Sequence, residues 1–320
     1  MIQYFLKLLL SLGMFGWLLW SGEIRFEAFR ELVSHRIFVA LIMLTQAVLF
    51  LLAAVRWQLL ARAFSIQVSY LRILKFFLMG EFFSLFFLGA MGGDFSRMLF
   101  LGAEEPRKKM AAVLTVLFDK ITALWVLCGI GFVALMVNQP LVDANQWLKS
   151  MQWLLALPLV GVPAGFLLLR WIPATLTAAA GKFGRFEEFL ILRDQLSRMP
   201  VGVYAKIAAL NALAQSFVII NFVCCAFALG AFHVPLATFL CAVPLGFIAL
   251  ALPFSIGGLG VGQFAFVELF KLYGVTERAL GGNLSTLHIA VWALFALLGG
   301  LLFAASKGEK RELVNGSNGR

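Results

Sequence analysis

Long runs of apolar residues, separated by short polar stretches, dominate the chain. Eight of these runs are long enough to form helices, and they cover residues 5–20, 37–55, 73–90, 111–137, 153–169, 203–229, 236–252 and 284–305. A helix needs about 20 predominantly apolar residues to cross the hydrocarbon core of a bilayer. The pattern therefore predicts an all-α polytopic membrane protein.

The composition supports this interpretation and excludes several classes of protein. Of the 320 residues, 62% are hydrophobic and 13% are charged, about half the usual charged share of a soluble domain. A soluble globule of this size cannot bury so much apolar surface. A soluble enzyme, a disordered chain and a nucleic-acid-binding domain are excluded, although the net charge is +10. Four cysteines and three scattered histidines show no metal-ligand spacing, so we expect neither a metal site nor a cofactor.

The distribution of Lys and Arg predicts the topology. If all eight runs span the membrane with the N-terminus inside, the six basic residues between 170 and 206 lie outside, which violates the positive-inside rule. Suppose instead that residues 73–103 and 236–273 each enter the membrane and return to the same side. Then 18 basic residues, Arg56 among them, lie inside, while five lie outside and three are embedded. We expect six full spans plus two re-entrant hairpins, with both termini cytoplasmic; eight spanning helices are the alternative.

Glycine clusters mark the expected tips of both hairpins. One tip covers residues 89–94 and the other covers residues 253–262. Such clusters break helices, and broken backbone at membrane depth is tolerated where protein or a watery cavity covers it. The alternative is two kinked helices with close glycine packing.

The topology predicts two inverted repeats in a single transmembrane domain over residues 1–306. Each half, 5–137 and 153–305, has the order helix, helix, re-entrant hairpin, helix, and the halves have opposite orientation. Inverted repeats that bring broken helices together near the midplane are a transporter architecture. Residues 170–202 are expected to form a cytoplasmic amphipathic connector, and residues 307–320 a short cytoplasmic tail.

Charges within the apolar runs are candidates for function, because each is costly in lipid. Asp94 and Arg97 follow Gly92 and Gly93. This spacing predicts Asp94 as the N-cap of a short helix with Arg97 one turn further on. Such a helix N-terminus suits a phosphate or other anion; a structural ion pair is the other interpretation.

Further charges occur in both halves. Asp119 and Lys120 lie in the fourth run, and Glu81 lies in the first hairpin. Glu268 and Lys271 are three residues apart, so they can pair on one helix face. These groups either neutralise one another or line a polar cavity between the two hairpins. Three amides of the sixth run either extend that cavity or bond neighbouring helices: Asn211, Gln215 and Asn221.

Three motifs resemble the transmembrane flippase-like domain of lysylphosphatidylglycerol synthases and its stand-alone relatives, over most of the chain. They are the Gly-Gly-Asp-x-x-Arg turn at 92–97, the segment around the Asp-Lys pair at 117–124, and the glycine-rich segment 252–261, with Gly-Val at 274–275. The chain departs from the family pattern at two places. Lys120 replaces a more common Arg, and Gly262-Gln263 stand where the family usually has Arg-Glu.

The resemblance implies a bacterial inner-membrane protein that translocates a phosphate-headed or glycosylated amphiphilic lipid. Members fused to a synthase domain move aminoacylated phospholipid, and lone members resemble movers of lipid-linked glycans or hopanoids. The substrate-binding residues that we expect are Gly92, Gly93, Asp94, Arg97, Asp119, Lys120, Ser255, Gly257, Gly258, Gly260, Gln263, Glu268 and Lys271.

Two other classes of function remain open at this point. One is a membrane enzyme acting on a polyprenyl-phosphate-linked lipid, with Asp94 or Asp119 as base or metal-positioning group. The other is a scaffold for cell-envelope lipid biosynthesis. The sequence contains no Walker-type loop, so we expect downhill or ion-coupled transport. The expected partners are membrane lipids and envelope-biosynthesis proteins, and no nucleic acid.

Overall fold

The structure, a computed structural model, describes residues 13, 15–86, 90–171, 196, 199–251, 260–275, 277 and 279–317. Helices joined by short connections make up this part of the chain, since a backbone in lipid must satisfy its hydrogen bonds internally. The long helices are α1 (Arg36–Ala63), α2 (Tyr70–Phe86), α3 (Ala90–Glu104), α4 (Lys109–Val137), α5 (Gln146–Trp171), α6 (Val201–Ala228), α7 (Leu236–Ala251), α8 (Val261–Leu272) and α9 (Leu280–Ser317).

Five of the described helices are long and apolar enough to cross a membrane. They are Arg36–Ala63, Pro106–Val137, Gln146–Leu168, Val201–Ala228 and Leu280–Ser306. Each coincides with one of the six full spans predicted from the sequence. Most of the remaining predicted span, residues 5–20, lies outside the described residues. The all-α, multi-pass membrane architecture is confirmed.

Two helices extend beyond the apolar runs from which they were predicted, and one prediction lies outside the described residues. The second span was expected to end at Val55, but α1 continues through Arg56 to Ala63, because the charge of Arg56 is paired inside the protein. The last helix continues to Ser317, into the segment predicted as a tail. Most of the predicted connector lies outside the described residues.

Helices α2 and α3 pack against each other in antiparallel fashion. A Cβ atom added to Gly80 on α2 would lie 2.6 Å from Cγ of Arg97, and one on Gly93 would meet the hydroxyl of Ser84. The order of these contacts along α2 is reversed along α3. The two helices have 17 and 15 residues, so they reach about 25 Å and 22 Å.

Helices α7 and α8 form a second antiparallel pair. A Cβ on Gly262 would lie 2.6 Å from Cδ2 of Leu250, and one on Gly246 would lie 2.4 Å from Phe266 on the next turn of α8. These helices have 16 and 12 residues. At about 1.5 Å per residue, the described parts of all four paired helices are shorter than the hydrocarbon core, which is about 30 Å thick.

The two helix pairs contact opposite halves of α4. On α3, Asp94 pairs with Lys120 of α4, and the rest of α3 follows the N-terminal half of α4. On α7, the Sγ of Cys241 lies 3.5 Å from the carbonyl oxygen of Ala134, in the C-terminal half of α4. The pairs therefore approach the middle of the bundle from opposite ends.

The end of the bundle where α4 begins carries a cluster of positive charge. Here the Nζ of Lys108 donates to the carbonyl oxygen of Ser65 at 2.6 Å, which joins the start of α4 to the end of α1. We call this end the basic end, and the other the opposite end. The basic end includes Arg62, Arg72, Arg107, Lys108 and Lys109.

Helix α9 contacts both helix pairs through glycines. A Cβ on Gly281 would lie 2.5 Å from the carbonyl oxygen of Phe266 on α8, and one on Gly299 would collide with the backbone of Leu78 on α2. Small residues allow membrane helices to approach closely and pack by van der Waals contact. One long helix thus holds the two pairs in a common frame.

Candidate functional site

A buried carboxylate on α4 organises the most charged part of the interior. Asp119 is 3% exposed, and its two oxygens accept from Nε and Nη2 of Arg56 at 2.6 Å and 3.1 Å. One oxygen also accepts from Nη2 of Arg97 at 3.1 Å. The Oδ1 of Asn211 accepts from Nη1 of Arg56 at 2.6 Å. We call Arg56, Arg97, Asp119 and Asn211 the Asp119 network; it joins α1, α3, α4 and α6.

The charge balance of the Asp119 network is positive. One carboxylate faces two guanidinium groups, and burial of each ion costs several kcal/mol unless it is paired. The two-point contact with Arg56 is the strong, fork-like arrangement of arginine and carboxylate. Arg97 shares the same carboxylate through one nitrogen only. One positive charge is therefore not balanced within these four residues, and Asp94 faces it, with Oδ1 3.6 Å from Nη1 of Arg97. Arg97 makes fewer hydrogen bonds in the network than Arg56 does.

Arg97 is held in place but retains an unused donor. Its Cζ lies 4.3 Å from the ring centroid of Trp57 and 5.1 Å from that of Phe77, within the range of cation–π attraction. Its Nε is buried and has no hydrogen-bond partner. A buried unsatisfied donor costs about 1–3 kcal/mol, more on a charged group. The side chain is therefore rigidly positioned with free capacity for an acceptor.

Asp94 does not cap a helix, so that prediction was wrong. Helix α3 begins at Ala90, which places Asp94 in its second turn. The carboxylate pairs with Lys120, whose side chain is 48% exposed, and lies 3.6 Å from Nη1 of Arg97. Asp94 thus links the buried network to an exposed cation on the neighbouring helix.

The glycines before Asp94 lie inside α3, not at a helix break. The hydroxyl of Ser96 donates to the carbonyl oxygen of Gly92, one helical turn away, at 2.8 Å. A Cβ on Gly93 would lie 2.7 Å from the carbonyl oxygen of Gly80. The physical reason for these glycines is close approach of α3 to α2, and this contact places Arg97 against the carboxylate of Asp119.

Glu81 lies near the Asp119 network and ties α2 to α9. Its Oε2 accepts from Nε1 of Trp292 at 2.8 Å. The charges of Arg97 and Lys120 act on this carboxylate. The first helix pair therefore carries acidic and basic groups on both of its helices.

In the second helix pair, the buried polar side chain near the start of the second helix is uncharged. Gly260, with φ of +81°, precedes α8, and its N–H donates to the Oε1 of Gln263 at 2.7 Å. Gln263 is fully buried, and its Nε2 has no hydrogen-bond partner among the residues that the structure describes. Three other predicted site residues of this segment lie outside the described residues: Ser255, Gly257 and Gly258.

The charged residues of α8 lie away from the Asp119 network. Lys271 Nζ is 3.2 Å from Glu268 Oε1, as the spacing predicts, and 2.8 Å from Glu23 Oε1. Both residues lie near the C-terminal end of α8, at the opposite end of the bundle. The structure therefore does not bring Glu268 and Lys271 into one cavity with Arg97, and their charges are neutralised locally.

Two of the three amides singled out on α6 bond neighbouring helices. Asn211 belongs to the Asp119 network, while the Nδ2 of Asn221 donates to Thr45 Oγ1 at 2.8 Å. Its Oδ1 lies 3.0 Å from Nδ1 of His288. We call Thr45, Asn221 and His288 the Asn221 cluster; it joins α1, α6 and α9 without a paired charge.

Sequence reasoning missed the roles of Arg56 and Trp57. Arg56 was counted among the surface cations, although mainly apolar residues, interrupted by Gln58, continue beyond it to Ala61. That continuation was the available signal, because an arginine inside a longer apolar run needs a buried partner. The identity of the partner, 63 positions away, has no comparable signal.

Comparison with known proteins identifies the family. Residues 4–304 match the family model of the lysylphosphatidylglycerol synthase TM region. No curated protein and no solved structure matches the chain. The chain therefore belongs to the lysylphosphatidylglycerol synthase TM region family, as its motifs predict, and is a membrane protein of lipid-related processes.

Proposed function

We propose that this protein translocates a phosphate-headed or glycosylated amphiphilic lipid across the bacterial inner membrane, without ATP. The family membership supports a lipid-related role. The observation that carries the proposal is Arg97, a buried, rigidly stacked guanidinium with an unpartnered Nε. Guanidinium groups bind phosphate oxygens well because their fork of donors matches the anion.

The packing of the helix pairs supports a path for a headgroup. We propose that α2–α3 and α7–α8 are re-entrant hairpins, since all four helices are too short to cross the hydrocarbon core without tilt or thinning. They contact opposite halves of α4, so their tips approach one another near its middle. A polar headgroup passes between the tips while the acyl chains remain in lipid.

The same arrangement supports the inverted-repeat interpretation. We propose that residues 5–137 and 153–305 are the two halves of the domain, each with one hairpin entering from its own side. Broken helices from two inverted halves that meet near the midplane are typical of secondary transporters. The basic end is then cytoplasmic by the positive-inside rule, together with both termini.

The first hairpin provides the binding groups in this proposal. A phosphate that enters from the basic end is attracted by the two guanidinium groups of the Asp119 network, and Nε of Arg97 donates a hydrogen bond to one of its oxygens. The carboxylate of Asp119 holds both arginines in place but does not contact the lipid. Release is possible because Arg97 keeps its hydrogen bond to Asp119 when the headgroup moves on.

The proposal is tested with purified protein in liposomes that contain fluorescent phosphatidylglycerol. The measurement follows accessibility of the headgroup label to a membrane-impermeant quencher, without nucleotide. We expect wild-type protein to accelerate exchange between leaflets. Arg97→Ala should reduce the rate at least about tenfold, because the charge-assisted hydrogen bonds to phosphate are lost.

Arg62→Ala is the matched control. Arg62 lies on the same helix as Arg56 but is exposed at the basic end, so its removal should leave the exchange rate within about twofold of wild type. Arg97→Lys, which keeps the charge but loses the fork, should give an intermediate rate. If Arg97→Ala and wild-type protein exchange the lipid at the same rate, the proposal of translocation through this site is wrong. Accumulation of a product of headgroup chemistry would favour the enzyme instead.

A further inference from the structure

Gln263 presents a single free hydrogen-bonding function at the tip of the second helix pair. Its Oε1 must be the atom that accepts from the Gly260 N–H at 2.7 Å, because only the oxygen of an amide can accept. The remaining Nε2 group is a pure donor, and it is buried without a partner. The unpartnered nitrogen can therefore donate to an oxygen acceptor and cannot accept from an ammonium group.

The position of this donor is deep in the bundle. At the usual helical rise, Gln263 lies about 14 Å along the helix axis from the C-terminal end of α8. The neighbouring Gly262 faces Leu250 near the end of α7, and Ser285 on α9. The charged residues of α8, Glu268 and Lys271, lie two turns further toward the opposite end and neutralise each other. Within the described residues, no salt bridge involves the tip of α8.

A structural role accounts for only half of this side chain. Capping of the Gly260 N–H from the third helical residue needs only a side-chain oxygen, which glutamate supplies as well as glutamine. It does not need the nitrogen, whose burial without a partner is unfavourable. A ligand that fills the site accounts for the donor.

We propose that Gln263 selects lipids whose headgroup, beyond the phosphate, ends in neutral oxygen acceptors such as glycerol or sugar hydroxyls, and disfavours headgroups that end in an ammonium. This inference rests on the proposed function and specifies its substrate class. Arg97 binds the phosphate, which both kinds of lipid carry. Gln263 distinguishes the two kinds by the end of the headgroup. An ammonium group brought to the Nε2 amide finds two donors facing each other and loses its own hydration.

The test measures binding, so it does not depend on transport. Dioctanoyl phosphatidylglycerol and dioctanoyl phosphatidylethanolamine are titrated into the purified full-length protein in a neutral detergent, and apparent affinities are taken from the rise in unfolding temperature. Wild-type protein should bind the glycerol lipid at least about fivefold more tightly than the ethanolamine lipid. The reason is that the glycerol lipid gains one buried hydrogen bond and leaves no group unpaired. Arg62→Ala should keep this ratio.

Two substitutions at one position separate the donor from the cap. Gln263→Glu keeps an oxygen to cap Gly260 but replaces the donor with a carboxylate, so the preference should reverse toward the ethanolamine lipid by about fivefold or more. Gln263→Leu removes both functions, so the advantage of the glycerol lipid should disappear without a gain for ethanolamine. Arg97→Lys should weaken binding of both lipids and leave their ratio within about twofold.

The outcomes are distinguishable from those of the transport assay. An unchanged ratio in Gln263→Glu and Gln263→Leu would show that the donor is only an unsatisfied structural group, and would overturn the inference. The same conclusion follows if neither lipid stabilises wild-type protein. If the ratio reverses as expected but no lipid exchanges between leaflets in liposomes, the selectivity stands and translocation is wrong.

Discussion

The two helix pairs of this protein have the same outline but different chemistry. The α2–α3 pair places Asp94 and Arg97 against Asp119 and Lys120 on α4, so charge is concentrated at its inner part. The α7–α8 pair has a buried amide at its tip and carries its charges at the far end. A site that first attracts an anion needs charge, whereas one that distinguishes headgroups needs a specific neutral contact. Under the proposed function, the two halves divide these tasks.

The largest expected effect concerns the direction from which each pair enters the membrane. Single cysteines at Ser69 and Arg107, which flank α2–α3, should both react with an impermeant maleimide only after the cells are permeabilised. Cysteines at Asp143 and Glu277, which lie at the opposite end, should both react in intact cells. The reason is that each pair returns to its own side. Background is low because the four native cysteines are buried.

The eight-span alternative gives a different labelling pattern. A continuous span over residues 73–90 separates Ser69 from Arg107, so one of the two would react in intact cells and the other would not. That result would contradict the re-entrant arrangement and remove the basis for opposed hairpins.

The next largest effect is on folding stability. Asp119→Asn leaves the buried guanidinium groups of Arg56 and Arg97 without their carboxylate, so we expect a loss of about 3–5 kcal/mol. Asn221→Ala breaks the neutral Asn221 cluster and should cost about 1–2 kcal/mol. Unfolding of the purified protein in detergent measures both. Comparable losses in the two variants would show that the charged and neutral clusters contribute equally, against our interpretation.

A double variant identifies the cause of that loss. Arg56→Met combined with Asp119→Leu removes a buried cation together with the carboxylate and replaces both by apolar groups. It should recover part of the stability lost in Asp119→Asn, because replacing a buried ion pair by apolar residues is often neutral or favourable. A loss equal to the sum of the single variants would indicate independent sites.

The apolar runs predicted the membrane spans well, since length and composition alone decide whether a helix can cross a bilayer. They failed at Arg56, where a charge interrupts the apolar run but is paired inside the protein. They also placed Gly92 and Gly93 in a loop. Glycine fits a helix break and a close helix contact equally well, and only the neighbouring backbone distinguishes the two.

The charged part of the site was predicted as separate pieces. Asp94, Arg97 and Asp119 were singled out because charge is rare in lipid. Their joint network was not predicted, because its contacts connect residues 22, 63 and 155 positions apart. Such pairs depend on how helices pack and leave no periodic signal in one sequence. For the same reason, the orientation of the Gln263 amide could not be predicted.

A smaller effect compares glycines of the two pairs. Gly93→Ala should destabilise the protein by about 1–3 kcal/mol, because the added Cβ meets the backbone carbonyl of Gly80 at 2.7 Å. Gly262→Ala should cost less, since its Cβ meets the mobile end of the Leu250 side chain. Gly165→Ala, with nothing within 4 Å of its Cβ, is the control. Unfolding in detergent should give the order Gly93, Gly262, Gly165; equal losses at the first two would contradict close backbone packing of α2 and α3.

The smallest expected effect reports whether the first pair faces water. Lys120→Gln removes the exposed partner of Asp94. If the side chain of Lys120 faces a hydrated cleft, its ion pair is weak, and the loss of stability should be below about 1 kcal/mol. Such a loss should also shrink as salt rises, since water-exposed charges are screened within about 10 Å at moderate ionic strength. The measurement is unfolding of the protein in lipid nanodiscs at low and high salt.

The position of Lys120 makes this small loss of stability informative. Lys120 lies beside Asp119 near the middle of the span, where a cation that faces lipid is costly and its pairing is correspondingly strong. Removal of a lipid-facing Lys120 would leave Asp94 as an embedded charge, with a loss of several kcal/mol that salt does not change. Asp119→Asn provides the buried reference, because its loss should be independent of salt. A salt-sensitive loss in Lys120→Gln beside a salt-insensitive one in Asp119→Asn places water on one side of Asp94 and protein on the other, as a headgroup path along α3 requires.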